Sequence, residues 1–274
     1  MKDQDTDVLV LGAGIVGICN AIALNEKGFN VTLVDRDEPS EATSFGNAGV
    51  ISQWACIPQS MPGIWKKVPK WLLDPSGPLS IRWSYFPRML PWLVEFLKSG
   101  RVEKLPAIAD AMLNLNRPNL DLYKQLLKGT GHENLIEDCS YVFVTRSKTK
   151  MNLETLEWKL RRERGVPIQA ITGDEARELE PDLSPSIQNG VLINGQGRTT
   201  NPGRLGKVIA EKAIAQGVKY FKAEVKRIVP LTNGGYEIVT DNGNKQASKL
   251  VLTAGVWSAK LLKDFGVNVL LEAE

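Results

Sequence analysis

The sequence predicts an α/β fold organised around a β–α–β unit at its N-terminus, and three stretches carry that expectation. Val8–Leu11 is a short apolar run with no polar face, which suits a parallel strand covered on both sides. Gly12, Gly14 and Gly17 follow it at G-x-G-x-x-G spacing and open an apolar helix pattern that stops at Gly28. Far along the chain, Leu250–Leu252 is a second buried run that enters a turn at Gly255.

Taken in order, Gly12 permits the tight strand-to-helix turn, Gly14 removes a side chain where a pyrophosphate would approach, and Gly17 lets the helix pack on the strand. Ile15 and Val16 begin the helix, whose free N–H groups and dipole favour phosphate. Ala21, Ile22 and Leu24 continue it, and Gly28 suits the residue that closes it. Val31–Val34 returns as the second parallel strand. Asp35 ends that strand, 18 residues after Gly17, where a carboxylate can accept both hydroxyls of a ribose. The glycines alone would also fit an ordinary βαβ unit. Strand, helix, closing glycine, second strand and carboxylate in this order make the fingerprint of a Rossmann-like dinucleotide-binding domain.

Arg36–Gly49 departs from the nicotinamide pattern, which would place a helix and a third strand here. It reads as a polar loop, then small residues, then Val50-Ile51. Ser44, Asn47 and two glycines can bring backbone N–H groups and short side chains against a flat ring or a phosphate. A surface loop with turn glycines is the plainer alternative.

Asp35-Arg36 followed by Ala42-Thr-Ser-Phe-Gly-Asn-Ala-Gly-Val-Ile-Ser52 resembles the FAD-dependent D-amino-acid dehydrogenases, within the wider D-amino-acid oxidase, glycine oxidase and sarcosine oxidase superfamily. The resemblance implies that Asp35 holds the adenosine ribose and that Ser44–Val50 runs along the pyrophosphate and ribityl chain to the flavin. It matches Val225 to the position whose backbone meets adenine, and Ala254-Gly255-Val256-Trp257-Ser258 to a segment passing close to the dinucleotide. The cofactor it implies is FAD. The binding set it implies is Gly12, Gly14, Ile15, Val16, Gly17, Asp35, Arg36, Thr43, Ser44, Asn47, Ala48, Gly49, Val50, Val225, Ala254, Gly255 and Trp257.

Composition narrows the alternatives. At 274 residues the chain can bury a substantial core in one large or two small domains. The net charge of +3, with Lys and Arg scattered, argues against nucleic acid as a partner. Cys19, Cys56 and Cys139 lie far apart with no C-x-x-C, so neither a zinc ribbon nor thioredoxin-like redox chemistry is expected. The odd cysteine count, and a first strand so near the N-terminus that no leader is expected, point to a reducing cytoplasm. No run is long and apolar enough to span a bilayer. The single histidine, His132, leaves no room for a Ser-His-Asp triad or a histidine-rich metal site, and no metal is expected.

Between Ser52 and Gly100 stand five of the seven tryptophans, Trp54, Trp65, Trp71, Trp83 and Trp92, among Lys66, Lys67, Lys70, Arg82, Arg88 and repeated prolines. The prolines divide this stretch into short helices, Trp92–Leu97 among them. One reading is an interfacial patch resting on anionic lipid. The other, favoured by the usual fate of large aromatics, is packing against the first domain or over a substrate pocket. Pro106–Leu127 is a long helical pattern with a kink at Pro118, followed by a turn that holds His132 as a solvated loop residue. Ser140–Thr145 reads as a strand, Asn152–Arg164 as an amphipathic helix, Asp174–Glu180 as a helix capped by Asp174, and Gly190–Asn194 as a strand. Thr200 or Asn201 caps a helix over Gly203–Gln216, with Pro202 in its first turn. Val218–Phe221, Glu224–Val229 and Tyr236–Thr240 are strands, the last two joined through Gly234-Gly235, and Val267–Leu271 starts another.

The resulting expectation is a Rossmann-like FAD-binding domain with a β-meander, discontinuous over 1–56 and 200–260. An inserted substrate domain with a mixed sheet and capping helices takes 57–199 and 261–274. The resembling family continues beyond the point matching Glu274, so a C-terminally incomplete chain is expected, with turnover and flavin retention impaired. The implied chemistry is oxidative deamination of a D-amino acid. The Cα hydride passes to flavin N5, and the imine hydrolyses to a 2-oxo acid and ammonia. An arginine would hold the substrate carboxylate; Arg198 is a candidate, and no residue is assigned as catalytic. The alternatives are a glycine- or sarcosine-type amine oxidase, an NAD(P)-dependent dehydrogenase with Arg36 facing a 2′-phosphate, and an inactive cofactor-binding fragment. The electron acceptor stays open between a quinone and a carrier. Peripheral contact with the inner face of the cytoplasmic membrane rests on the tryptophan-rich stretch alone.

Overall fold

Val8–Leu11 is wholly buried inside a parallel sheet, as its unbroken apolar run requires. The computed structural model describes residues 6–75, 77, 79–232 and 234–269. In chain order the elements are β1 (Val8–Leu11), α1 (Ile15–Glu26), β2 (Val31–Asp35), β3 (Val50–Ile51), α2 (Val68–Leu73), α3 (Phe86–Ser99), α4 (Leu105–Asn116), α5 (Asn119–Leu127), β4 (Ile136–Thr145), α6 (Leu156–Glu163), β5 (Ile168–Thr172), α7 (Gly173–Leu179), β6 (Asn189–Thr199), α8 (Pro202–Ala215), β7 (Lys219–Lys222), β8 (Val225–Pro230), β9 (Tyr236–Thr240), β10 (Lys245–Ala247), β11 (Lys249–Leu252) and α9 (Ser258–Leu262).

The chain forms two compact units. The first comprises Met1–Val50, Tyr123–Glu137 and Thr199–Glu274; the second comprises Ile51–Leu122 and Asp138–Arg198. The chain passes from one to the other within β3, α5, β4 and β6. Sequence reading looks for boundaries in linkers, so these crossings differ from the expected ones. Residues 51–56 group with the second unit, and 123–137 and the segment from 261 group with the first.

In the first unit the parallel sheet has the order β11-β1-β2-β7, with Val8 opposite both Val31 and Lys249. Helix α1 buries Gly17, Ile18, Ala21 and Ile22, and α8 packs beside it. Strands β8, β9 and β10 form an antiparallel meander. Ile228, Ile238 and Ala247 of this meander close a core with Leu9, Leu11 and Val34. Each fully buried aliphatic side chain there contributes about 1.5–3 kcal/mol. The second unit has a sheet ordered β3-β6-β4, with β5 antiparallel to β6. Its core joins Ala109 and Leu113 of α4 to Trp158, Val191 and Ile193.

Several elements depart from the sequence expectation for identifiable reasons. The helix expected over Pro106–Leu127 is two helices. Pro118 has no N–H to continue the ladder; the Arg117 amide closes α4 on Leu113 O, and α5 restarts with the Leu122 amide on Pro118 O. Helix α3 is longer than Trp92–Leu97, because Pro87 sits in its first turn and starts it early. The cap of α7 is Thr172, not Asp174: Thr172 and Glu175 exchange bonds as a capping box. Helix α6 begins after Thr155, since the Asn152 side chain takes the Glu154 amide in a turn. Strands β5 and β10 were not foreseen. Val267, Asn268 and Val269 carry no strand, and the rest of the expected Val267–Leu271 strand lies outside the described residues.

Candidate functional site

A cavity of about 210 Å³ opens in the first unit at the C-terminal ends of β1, β2 and β11, where ligands of open parallel sheets bind. That is smaller than the about 300–1,000 Å³ of pockets that enclose a drug-sized ligand, so it suits one portion of a dinucleotide.

The turn after β1 is shaped by its glycines. Gly12 has φ +109°, and a Cβ there would collide with the Thr253 carbonyl. A Cβ at Gly17 would collide with the Gly12 carbonyl, so α1 lies directly on the turn. At Gly14 a Cβ would meet only the Ser44 hydroxyl, at 3.2 Å, which leaves the turn open to the cavity. Helix α1 starts on Gly14 with no side-chain cap and no acidic residue in its first turn. The positive end of its dipole is therefore not neutralised by the helix itself, and the site fits an anion.

Residues 35–44 hold this turn. The Ala13 amide donates to Asp35 Oδ2 at 2.6 Å, and the Asp37 amide donates to Asp35 Oδ1 at 3.1 Å. The Ser40 amide donates to the Ala13 carbonyl at 2.9 Å, and the Ile15 amide donates to Ser44 Oγ at 2.9 Å. On the β11 side, the Thr253 hydroxyl donates to the Leu11 and Gly12 carbonyls, both at 3.0 Å. Arg36 lies 4.5 Å over the Trp257 ring and 3.2 Å from Asp37 Oδ2. Its guanidinium is thus already engaged by a ring and a carboxylate.

Gly12, Gly14, Ile15, Val16, Asp35, Arg36, Thr43, Ser44, Val225, Ala254, Gly255 and Trp257 all line this cavity. Gly17, Asn47, Ala48, Gly49 and Val50 are not among its lining residues. Gly17 packs behind the turn. Asn47 shapes its own loop, donating to Ser44 O at 3.0 Å and accepting the Gly49 amide at 2.9 Å. Gly49, at φ +68°, lies against Thr199, whose amide donates to Gly49 O at 2.8 Å. Sequence reasoning missed Asp37, Glu224, Thr253, Lys260 and Leu261, which also line the cavity. Thr253 was within reach, since it ends a buried strand with a hydroxyl just before Ala254. Glu224 and Lys260 carry no local signal and meet the site only through the fold.

His132 is no solvated loop residue: it is half-buried, and Arg204 Nη2 lies 3.1 Å from its Nε2. It does not line the cavity. Arg198 is exposed on β6 in the second unit. Among the described residues no group of three or more His, Cys, Asp or Glu side chains could hold a metal ion, and no helix is long and apolar enough to cross a membrane.

Residues 7–272 match the family described as FAD dependent oxidoreductase (DAO). A protein of Bradyrhizobium diazoefficiens named D-amino-acid oxidase is 37% identical over 270 residues, covering 97% of this chain and 64% of that protein. A D-amino acid dehydrogenase of Rhizobium rhizogenes is 29% identical over 268 residues, covering 96% and 64%. Among solved structures, glycine oxidase from Bacillus cereus superposes with a TM-score of 0.63 at 22% identity, covering 95% of this chain and 58% of that one. L-amino acid deaminase from Proteus vulgaris, with an insertion deleted, gives 0.64 at 18% identity, covering 98% and 58%. The chain thus spans 64% of the length of these two relatives. With a match running from β1 to beyond α9, and a glycine turn, carboxylate and open helix terminus that fit its dinucleotide, the chain belongs to the FAD dependent oxidoreductase family, and its cofactor is FAD rather than a nicotinamide.

Proposed function

We propose that this chain carries the FAD-binding part, and some of the substrate-binding part, of an enzyme that oxidatively deaminates D-amino acids to 2-oxo acids and ammonia. The observation that carries the proposal is the convergence of the glycine turn, Asp35 and the Ala254–Trp257 segment on one cavity. The names of the relatives at 29–37% identity supply the substrate class. We assign the adenosine half of FAD to the first unit and the substrate region to the second.

Each carboxylate oxygen of Asp35 accepts one backbone N–H and keeps a lone pair, so it can also accept a ribose hydroxyl. The turn at Gly14 and the start of α1 face the pyrophosphate, with the Ser44 hydroxyl beside them. The Val225 backbone and the Arg36–Trp257 pair border the adenine side. FAD, when bound, supplies the hydride acceptor for the substrate Cα–H. The residues described here bind and orient it; the substrate-carboxylate clamp is not assigned to any of them. The test is flavin content after gel filtration, together with dye reduction by a panel of D-amino acids, L-amino acids, glycine and sarcosine. Turnover confined to D-amino acids supports the proposal. Turnover of glycine or sarcosine alone would move it to the amine-oxidase reading, and absence of flavin would remove it.

A membrane surface is a second partner we propose. Trp83 is 70% exposed and Leu73 83% exposed, and Leu90, Val94 and Leu97 form an exposed stripe on α3. Trp54 packs on the core of the second unit, whereas the exposure of these side chains supports the interfacial reading for this face. Lys66, Lys67, Lys70, Arg82 and Arg88 accompany it in sequence, as an anionic headgroup layer would require.

A further inference from the structure

We infer that Gly206 on α8 is a positioning residue for the nucleotide turn and acts on it through Ser40; the inference rests on reading the cavity as the FAD site. Ser40 is 1% exposed and holds the left-handed conformation, φ +64°. Its amide donates to the Ala13 carbonyl at 2.9 Å, while the Ala13 amide donates to Asp35. The peptide groups on both sides of Ala13 are thus fixed by the last residue of β2 and by Ser40, which follows it. Ser40 in turn rests on α8. A Cβ at Gly206 would stand 2.5 Å from Ser40 Cβ and overlap its hydroxyl. Rotation about χ1 moves the hydroxyl but not Cβ, so the clash is relieved only by a backbone shift, at Ser40 or in α8. A shift at Ser40 pulls on Ala13. The hydroxyl finds no hydrogen-bond partner among the described residues, so its contribution is contact rather than bonding.

Gly203, one turn earlier on α8, provides the contrast. The nearest atoms to a Cβ there belong to the ring of Phe45, a half-exposed side chain that can turn about its own χ angles. Alanine raises helix propensity equally at both positions, so the two substitutions differ mainly in what they touch.

The experiment compares Gly206→Ala, Gly203→Ala, Ser40→Gly and Ser40→Gly/Gly206→Ala by amide hydrogen exchange at residues 15 and 40 in the unliganded protein, and by titration with ADP. Gly206→Ala should speed exchange and weaken ADP binding by about tenfold, while Gly203→Ala stays within about twofold. Ser40→Gly removes the opposing Cβ at a position whose backbone already suits glycine, so the double variant should recover both properties. If Gly206→Ala does not fold, recovery of folding in the double variant supports the same conclusion. A Gly206→Ala protein that behaves like Gly203→Ala, or a double variant no better than Gly206→Ala, overturns the inference. If the wild-type protein fails to bind ADP, the cofactor reading of the cavity falls, and the exchange measurements still decide the role of Gly206.

Discussion

The carboxylate of Asp35 accepts the Ala13 amide at 2.6 Å, joining the end of β2 to the turn that follows β1. The residue we propose for the ribose therefore also holds the turn we propose for the pyrophosphate. Its second oxygen takes the Asp37 amide, so one side chain ties the turn after β1 to the loop after β2.

Asp35→Ala should accordingly lower stability as well as affinity, each by about 1–3 kcal/mol, the cost of leaving polar groups unpaired. Asp35→Asn keeps one acceptor oxygen and should lose roughly half as much. Urea unfolding and FAD titration on both variants check this. Lost affinity with unchanged stability would show that the Ala13 bond contributes nothing.

Gly17→Ala places a methyl group on the Gly12 carbonyl. Overpacking costs about 1–3 kcal/mol, against a helix-propensity gain of at most about 1 kcal/mol. A net loss is expected, read from the urea midpoint. Gly28 has φ +86° but nothing within 4 Å of an added Cβ. Gly28→Ala should therefore cost only the backbone term, about 1 kcal/mol, and leave FAD affinity unchanged.

Burial pushes the Cys19 thiol up to about 11. An unfolded thiol titrates near about 8.5, so above that pH the unfolded chain loses a proton that the folded chain keeps. Stability from this group is whole below about pH 8.5 and falls as pH rises toward 11, by up to about 1.4 kcal/mol per pH unit. Wild type should lose more stability than Cys19→Ala between about pH 7 and about pH 10. Parallel curves for the two proteins would contradict the shift.

Binding to vesicles of mixed anionic and zwitterionic phospholipid should be measurable at low salt and should weaken as salt rises. Replacing Trp83, Leu90 and Leu97 by alanine should remove it without changing the unfolding free energy by more than about 0.5 kcal/mol, because these side chains are exposed. Failure to bind vesicles in low salt would exclude the membrane partner.

Features that depend on neighbours along the chain are legible in the residues alone. The apolar run of β1, the spacing of Gly12, Gly14 and Gly17, Asp35 at the end of β2, and Asn201-Pro202 at the start of α8 are local patterns, and the structure places each as its pattern demands. Local steric and hydrogen-bonding preferences act over a few residues, and they suffice there. Tertiary structure decided everything that depends on approach between distant segments. Position 40 meets position 206, Thr253 backs the Gly12 turn, and Glu224 and Lys260 reach the cavity only because the sheet and meander bring them there. The same holds for the crossings inside β3, α5, β4 and β6, where the chain passes between units without leaving an element. Each of these contacts is set by packing density and backbone geometry between chain segments far apart in sequence, 242 positions for Thr253 and Leu11, and residue type at either end carries no record of the other.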